Sequence, residues 1–210
     1  MSQLIYLSRH GTVRINQEDI SIADPGAYDF TEQGVQECRD LGAYLDTLHI
    51  PNPFFVDSGL PRTVASVYLA AESMKITLKP GKNYYSAAAL GEEVPLEALS
   101  RKQREEYYCG RHRNKPIKLA LELGVEVHQE LVKIGNAFSG NNIIAILHGG
   151  INLGLITYLT GKGNHMHNCG LYVLERVEDW LKIVGDYISP EQMRKAMEQA
   201  KQIRKGMAVR

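Results

Sequence analysis

The 210 residues carry 24 Lys and Arg against 24 Asp and Glu, a formal net charge of zero, with 44% hydrophobic residues. That is the composition of an ordinary globular chain, and the charge balance argues against nucleic acid or another polyanion as the main partner, because such binding needs a clustered cationic excess. No apolar run is long enough to span a bilayer, so no membrane partner is expected either.

Three cysteines, Cys38, Cys109 and Cys169, are odd in number and widely spaced in sequence. They show neither zinc-ligand spacing nor a disulfide framework, which favours a reducing compartment. The N-terminus lacks the charged-then-apolar pattern of a signal peptide, and a cytoplasmic location is the expectation. No repeat or linker interrupts the chain, so residues 1–210 read as one α/β domain with a lid or insertion at about 83–118.

The first element is a short apolar run, Leu4 to Leu7, which predicts a buried strand. It switches abruptly to Arg9-His10-Gly11. In an open α/β sheet, ligands bind just outside the carboxyl ends of the strands, so this strand delivers a cation and a ring nitrogen to that edge. A neutral imidazole beside a guanidinium suits attack on a phosphoryl group. Thr12 to Pro25 reads as a polar loop ending in the Asp24-Pro25-Gly26 turn. Thr31 is a good N-cap for a helix whose buried stripe is Val35, Cys38, Leu41, Leu45 and Leu48.

Pro51-Asn52-Pro53 precedes a strand at Phe54-Phe55-Val56. Asp57 to Thr63 ends that strand and opens the next helix, with Pro61 in its first turn and Val64, Val67, Tyr68 and Ala71 as its buried face. Ile76-Thr77-Leu78 is expected to be a third strand, closed by Pro80-Gly81. The stretch from Asn83 to Lys118 is the least regular. Within it Arg101, Lys102, Arg104, Arg111, Arg113, Lys115 and Lys118 outnumber Glu105 and Glu106; the segment is either a solvated surface or a basic lid over an anionic substrate.

A helix is predicted over Leu119 to Phe138, stopped by Gly140-Asn141-Asn142. Ile143 to Leu147 is the clearest buried strand, ending at His148-Gly149-Gly150 and followed by an apolar helix over Ile151 to Leu159. Two further strands, Leu171 to Arg176 and Leu181 to Val184, flank a Glu178-Asp179 turn. Ser189-Pro190-Glu191 starts a last helix with Met193, Ala196, Met197, Ala200 and Ile203 on one face. That face would dock on the body or form a homodimer, and the sequence does not choose. His165-Met166-His167 has no carboxylate or cysteine cluster beside it and reads as structural rather than metal-binding. Tyr107, Tyr108 and Trp180 read as packing residues.

Two strands thus share one grammar, an apolar run followed by histidine and glycine, and a third strand end supplies Ser58 and Arg62. Taken jointly, Leu7-Ser8-Arg9-His10-Gly11, Asn16, Phe30-Thr31-Glu32-Gln33-Gly34, Ser58 with Arg62, and Leu147-His148-Gly149-Gly150 resemble the histidine phosphatase superfamily, in its phosphoglycerate-mutase-like branch. The resemblance runs from about Leu4 to Leu159. It implies a three-layer α/β/α sandwich with a mostly parallel central sheet and a site at the carboxyl ends of its strands.

The resemblance also implies a phosphohistidine intermediate on His10, with Arg9, Arg62 and His148 around the phosphoryl oxygens. Gly11, Thr12, Asn16, Ser58 and the Gly149 N–H would add substrate contacts. The proton donor implied by a Leu-x-Glu element is Glu92, in Leu90-Gly91-Glu92, with Glu93 as the second choice. The other large branch places an aspartate directly after the second histidine, where this chain has Gly149. Thr12-Val13 stands where the family commonly has Glu-Thr, and Val94-Pro95-Leu96 replaces the aromatic and glycine residues that usually follow the glutamate. The expected activity is hydrolysis of a small phosphorylated metabolite. The alternatives are a phosphoglycerate-type mutase, a protein phosphohistidine phosphatase and a non-catalytic phospho-ligand module on the same fold. No metal or cofactor is expected, since arginines supply the charge that Mg²⁺ often provides.

Overall fold

The computed structural model describes residues 2–17, 28–91 and 116–207, with side chains described except at 116–120 and 203–207. The expectations for Asp24-Pro25-Gly26, Glu92, Glu93, Tyr107, Tyr108 and Cys109 lie outside the described residues, as does all the basic segment before residue 116.

Six strands form one sheet in the order β3-β2-β4-β1-β5-β6. They are β1 (Gln3–Arg9), β2 (Pro53–Asp57), β3 (Tyr84–Ser86), β4 (Asn142–Leu147), β5 (Leu171–Val177) and β6 (Trp180–Ile183). Strands β1 to β4 run parallel, while β5 and β6 are antiparallel to their neighbours. The helices are α1 (Arg14–Gln17), α2 (Glu32–Thr47), α3 (Pro61–Ser73), α4 (Pro116–Ala137), α5 (Gly149–Thr160) and α6 (Pro190–Met207).

Strand β4 is continuously apolar because both of its faces are covered. Ile143, Ala145 and Leu147 join Val127 and Leu131 of α4 and Ile151 and Leu155 of α5. Ile144 and Ile146 point the other way, to Cys38, Leu41 and Leu45 of α2, Val67 and Ala70 of α3, and Met193 of α6. This period of two along the strand produces the three layers.

Capping follows the local sequence. The Thr31 hydroxyl accepts from the Gly34 N–H at 3.0 Å. Ser189 Oγ accepts from Gln192 N at 3.3 Å while the Gln192 side chain accepts from Ser189 N at 2.7 Å, a reciprocal capping box. Helix α6 docks on the body: Met193 is buried and Arg194 lies 3.7 Å from Asp40 of α2.

Three expectations are corrected. Ile76-Thr77-Leu78 is not a strand; the edge strand is Tyr84–Ser86. The Asn83 amide takes up the backbone of the preceding segment, donating to Thr77 O at 3.1 Å and accepting from Lys79 N at 2.7 Å, so those groups are not offered to a ladder. Tyr68 is half exposed, because the inner face of α3 runs instead through Thr63, Ser66, Val67, Ala70 and Ala71. Leu48 is exposed, standing at the C-cap just past the end of α2.

The loop after β1 meets α2 with no room to spare. A Cβ added to Gly34 would lie 1.9 Å from the Thr12 carbonyl oxygen, a backbone contact that no rotamer change relieves. Gly34→Ala is expected to lower stability by about 1–3 kcal/mol, read as a lower urea midpoint with the slope unchanged. An unaltered midpoint would show that this loop is looser than its packing.

Candidate active site

Because β2, β4 and β1 are adjacent and parallel, their carboxyl ends bring Ser58, His148 and His10 to one edge. The His10 and His148 rings stand 5.6 Å apart at an interplanar angle of 63°, and both are buried. Arg9 leaves the end of β1. Arg62 is buried in the first turn of α3, its guanidinium 4.7 Å above the Tyr28 ring. Sequence-predicted Arg9, His10, Arg62 and His148 therefore do converge.

The His10 ring is fixed locally. Its Nδ1 lies 2.8 Å from the Gly11 carbonyl oxygen. A carbonyl only accepts, so Nδ1 carries the proton and Nε2 keeps its lone pair. Burial pushes the His10 pKa well below its ordinary value of 6.5, and Arg9 and then Arg62 push the same way against the opposing Gly11 bond. His148 is also held neutral, first by burial and then by Arg62, His10 and Arg9.

These shifts have a stability consequence. Below pH 6.5 the unfolded chain protonates both imidazoles while the folded chain does not. A group with a depressed histidine pKa therefore removes stability as pH falls, by up to about 1.4 kcal/mol per pH unit for each group. In phosphate-free buffer the urea midpoint is expected to fall between about pH 7 and pH 5, and His148→Asn should flatten that slope. An equally steep slope in the variant would contradict the assignment.

Helix α5 begins directly after His148, which is its N-cap residue. The first N–H groups of a helix lack intrahelical acceptors and favour an anion, so the Gly149 N–H belongs to this edge. Gly149 also makes room for Arg9: a Cβ there would lie 3.0 Å from Arg9 Nε. Arg9 Nη1 donates to Met166 O at 3.3 Å, whereas the buried Nε has no partner among the described residues.

Several residues expected as substrate contacts are committed elsewhere. Gly11 gives its carbonyl to His10 and its N–H to Ser66 Oγ at 3.1 Å. The Thr12 hydroxyl donates to Glu37 Oε2 at 2.7 Å, and its N–H goes to the same oxygen at 2.9 Å. Its one proton is therefore not offered to a phosphate. Ser58 Oγ lies 2.7 Å from His148 Nε2. Asn16 Oδ1 accepts from Val13 N at 3.2 Å, with Asn168 Nδ2 at 3.4 Å.

Other residues gain roles that local pattern did not show. Ser66 Oγ, besides receiving the Gly11 N–H, donates to Arg62 O at 2.8 Å and so joins the nucleophile's turn to the arginine's. Asn168 Nδ2 donates to His10 O at 2.9 Å from a position 158 residues away in sequence. Thr63 Oγ1 lies 2.9 Å from Ser58 Oγ.

Cys38 and Cys169, distant in sequence, meet beneath this loop with their sulfurs 3.7 Å apart, both as free thiols. His165 and His167 stand 6.1 Å apart, and His167 Nδ1 lies 3.1 Å from the Tyr187 hydroxyl. Among the described residues no group of three or more His, Cys, Asp or Glu is placed to hold a metal, and no helix is long and apolar enough to cross a membrane.

Two neutral imidazoles, two guanidiniums and a helix N-terminus thus gather at one edge of the sheet, an arrangement whose charge suits an anion. The family model for the histidine phosphatase superfamily, branch 1, matches residues 5–185, and the chain belongs to that superfamily. Solved structures share the fold at low identity. YhfR of Bacillus stearothermophilus superposes with a TM-score of 0.66 at 14% identity, covering 88% of this chain and 96% of that one. A phosphoglycerate mutase from Bacillus anthracis gives 0.59 at 19%, over 92% and 96%. A phosphoserine phosphatase from Entamoeba histolytica in complex with 3-phosphoglyceric acid gives 0.62 at 14%, over 91% and 99%. No curated protein matches the chain in a sequence search.

Proposed function

We propose that the protein is a cytoplasmic phosphatase that hydrolyses a small phosphorylated metabolite through a phosphohistidine formed at His10 Nε2. The observation that carries this reading is the His10 Nδ1–Gly11 carbonyl bond of 2.8 Å in a site where burial and two arginines keep the ring neutral. It supports a preformed nucleophile at neutral pH.

In the first step Nε2 attacks phosphorus and the P–O bond to the leaving group breaks. Arg9, Arg62, His148 and the Gly149 N–H take the charge spread over the equatorial oxygens, with Asn16 Nδ2 as a further donor. Such preplaced charge supplies most of the rate in phosphoryl transfer. In the second step water attacks the phosphohistidine, releasing phosphate and restoring His10. This chemistry needs no cofactor.

The leaving oxygen needs a proton, and Glu92 is the proposed donor, with Glu93 the alternative. Support comes from the last described residues before it. Leu90 is fully buried, and a Cβ at Gly91 would lie 3.9 Å from the Ser58 carbonyl oxygen, so the chain reaches position 91 beside the loop that holds His148. Glu92→Gln is expected to slow an alkyl phosphate more than p-nitrophenyl phosphate, whose leaving group departs unprotonated. Equal losses on the two substrates would move the acid elsewhere.

The deciding assay incubates the protein with 3-phosphoglycerate and a panel of sugar and nucleoside phosphates. Release of free phosphate supports hydrolysis. Conversion to 2-phosphoglycerate without phosphate release would replace the phosphatase reading with a mutase, and acid-labile labelling at His10 would exclude a non-catalytic module.

A further inference from the structure

A backbone carbonyl sets the tautomer of His10 directly, and a chain of two hydroxyls leads from another backbone carbonyl to His148. For His10 the carbonyl is Gly11's, directly on Nδ1. For His148 it is Leu60's, reached through two hydroxyls. Thr63 Oγ1 lies 2.9 Å from Leu60 O. That carbonyl, which also accepts the Thr63 and Val64 N–H groups at 2.9 and 3.0 Å, has no proton to give, so when this contact is a hydrogen bond its proton is Thr63's only one. Thr63 Oγ1 then lies 2.9 Å from Ser58 Oγ, and the proton between them must belong to Ser58. Ser58 Oγ lies 2.7 Å from His148 Nε2, and with its own proton spent it can only accept. The proton in that last contact is on Nε2, so neutral His148 bears its lone pair on Nδ1, the other ring nitrogen. Ser58, Thr63 and His148 are all buried, so water does not compete to reorder the chain.

We infer that Thr63 is a positioning residue that dictates, through Ser58, the Nε2–H tautomer of His148 in the free protein, and that a phosphoryl group received by His148 Nδ1 is therefore bound together with one proton. The inference rests on the phosphoryl reading of the site given above. A lone pair facing a phosphate oxygen repels it, whereas Nδ1–H donates to it. The proton comes from solvent or from the ligand's own monoanion, adds to Nδ1, and leaves an imidazolium with both nitrogens donating; no covalent bond changes. The titratable groups acting on His148 are Arg62 from α3, then His10, itself neutral, and Arg9 from the end of β1. Burial first and then the two guanidiniums keep the ring neutral without a ligand, and a dianion between the guanidiniums offsets their repulsion.

The test has two arms, both on the full chain. Long-range ¹H–¹⁵N spectra of histidine-labelled protein at about pH 8, assigned against His148→Asn, report the tautomer without any ligand. Wild type is expected to show Nε2–H. Thr63→Val removes the acceptor for the Ser58 proton, which then turns to Nε2 and shifts His148 toward Nδ1–H. Thr63→Ser should restore the wild-type pattern.

Calorimetry with inorganic phosphate, in two buffers of different ionisation enthalpy at about pH 8, counts protons taken up. About one per site is expected for wild type and Thr63→Ser, and roughly half that or less for Thr63→Val. Ser58→Ala, which breaks the same chain one link nearer, serves if Thr63→Val fails to fold, with the same two results expected. An Nδ1–H wild type, or an unchanged tautomer and proton count in Thr63→Val, overturns the inference. Phosphate binding with no proton uptake in wild type overturns it while leaving the phosphoryl site standing; no phosphate binding at all overturns that reading, and the ligand-free spectra still decide the tautomer.

Discussion

His10→Ala is expected to lower turnover of p-nitrophenyl phosphate by at least about a thousandfold and to abolish acid-labile labelling. The geometry allows no substitute. His148, the other buried imidazole at this edge, has its Nε2 engaged by Ser58 at 2.7 Å, and its Nδ1, which takes up a proton as the phosphoryl group binds on the inference above, offers no lone pair for attack. Alanine also removes the ring bonded to Gly11 but leaves both arginines, so phosphate binding should survive the loss of turnover. The variant should resist acid better than wild type, because a buried imidazole with a lowered pKa opposes folding once the unfolded chain protonates it below 6.5. Single-turnover rates within tenfold of wild type would remove His10 from the nucleophile's role.

Arg62→Ala is expected to cost at least about a hundredfold, the usual scale for deleting a charged donor aimed at the transition state. The loss should also depend on pH. Arg62 is among the causes that depress both His10 and His148, so without it both pKa values rise toward 6.5. At about pH 6 more of His10 is then protonated and unable to attack, so the loss is larger there than at about pH 8. Arg62→Lys should recover part of the activity, since it restores the charge but not the planar fork. A loss below threefold at both pH values would show that this guanidinium, stacked 4.7 Å over Tyr28, serves packing rather than chemistry.

Much of this architecture was legible in the linear chain because its signals are local. The apolar run Ile143 to Leu147 is a strand with both faces covered, and the hydroxyls of Thr31 and Ser189 cap the helices they precede. The residues that follow strand ends could be read as a site because parallel strands place those ends side by side. The misreadings arose where a polar side chain a few residues away took up backbone groups, as Asn83 does for Ile76 to Lys79. They arose too where hydroxyls serve as interior residues, as Thr63 and Ser66 do on the inner face of α3.

Residue type and spacing alone determined that Arg9, His10 and His148 would follow strand ends and that Arg62 would open a helix just after another, since strand, turn and helix starts are set by neighbours within a few positions. Only the folded chain decided what each of those side chains does. The Gly11 carbonyl fixes the first imidazole from one residue away, but the second is oriented from Ser58, 90 residues distant. Thr12, expected to meet a ligand, gives its proton to Glu37 instead. A hydroxyl has one proton and an imidazole two nitrogens, and which partner receives which is settled by packing across the sheet, where sequence periodicity carries no information.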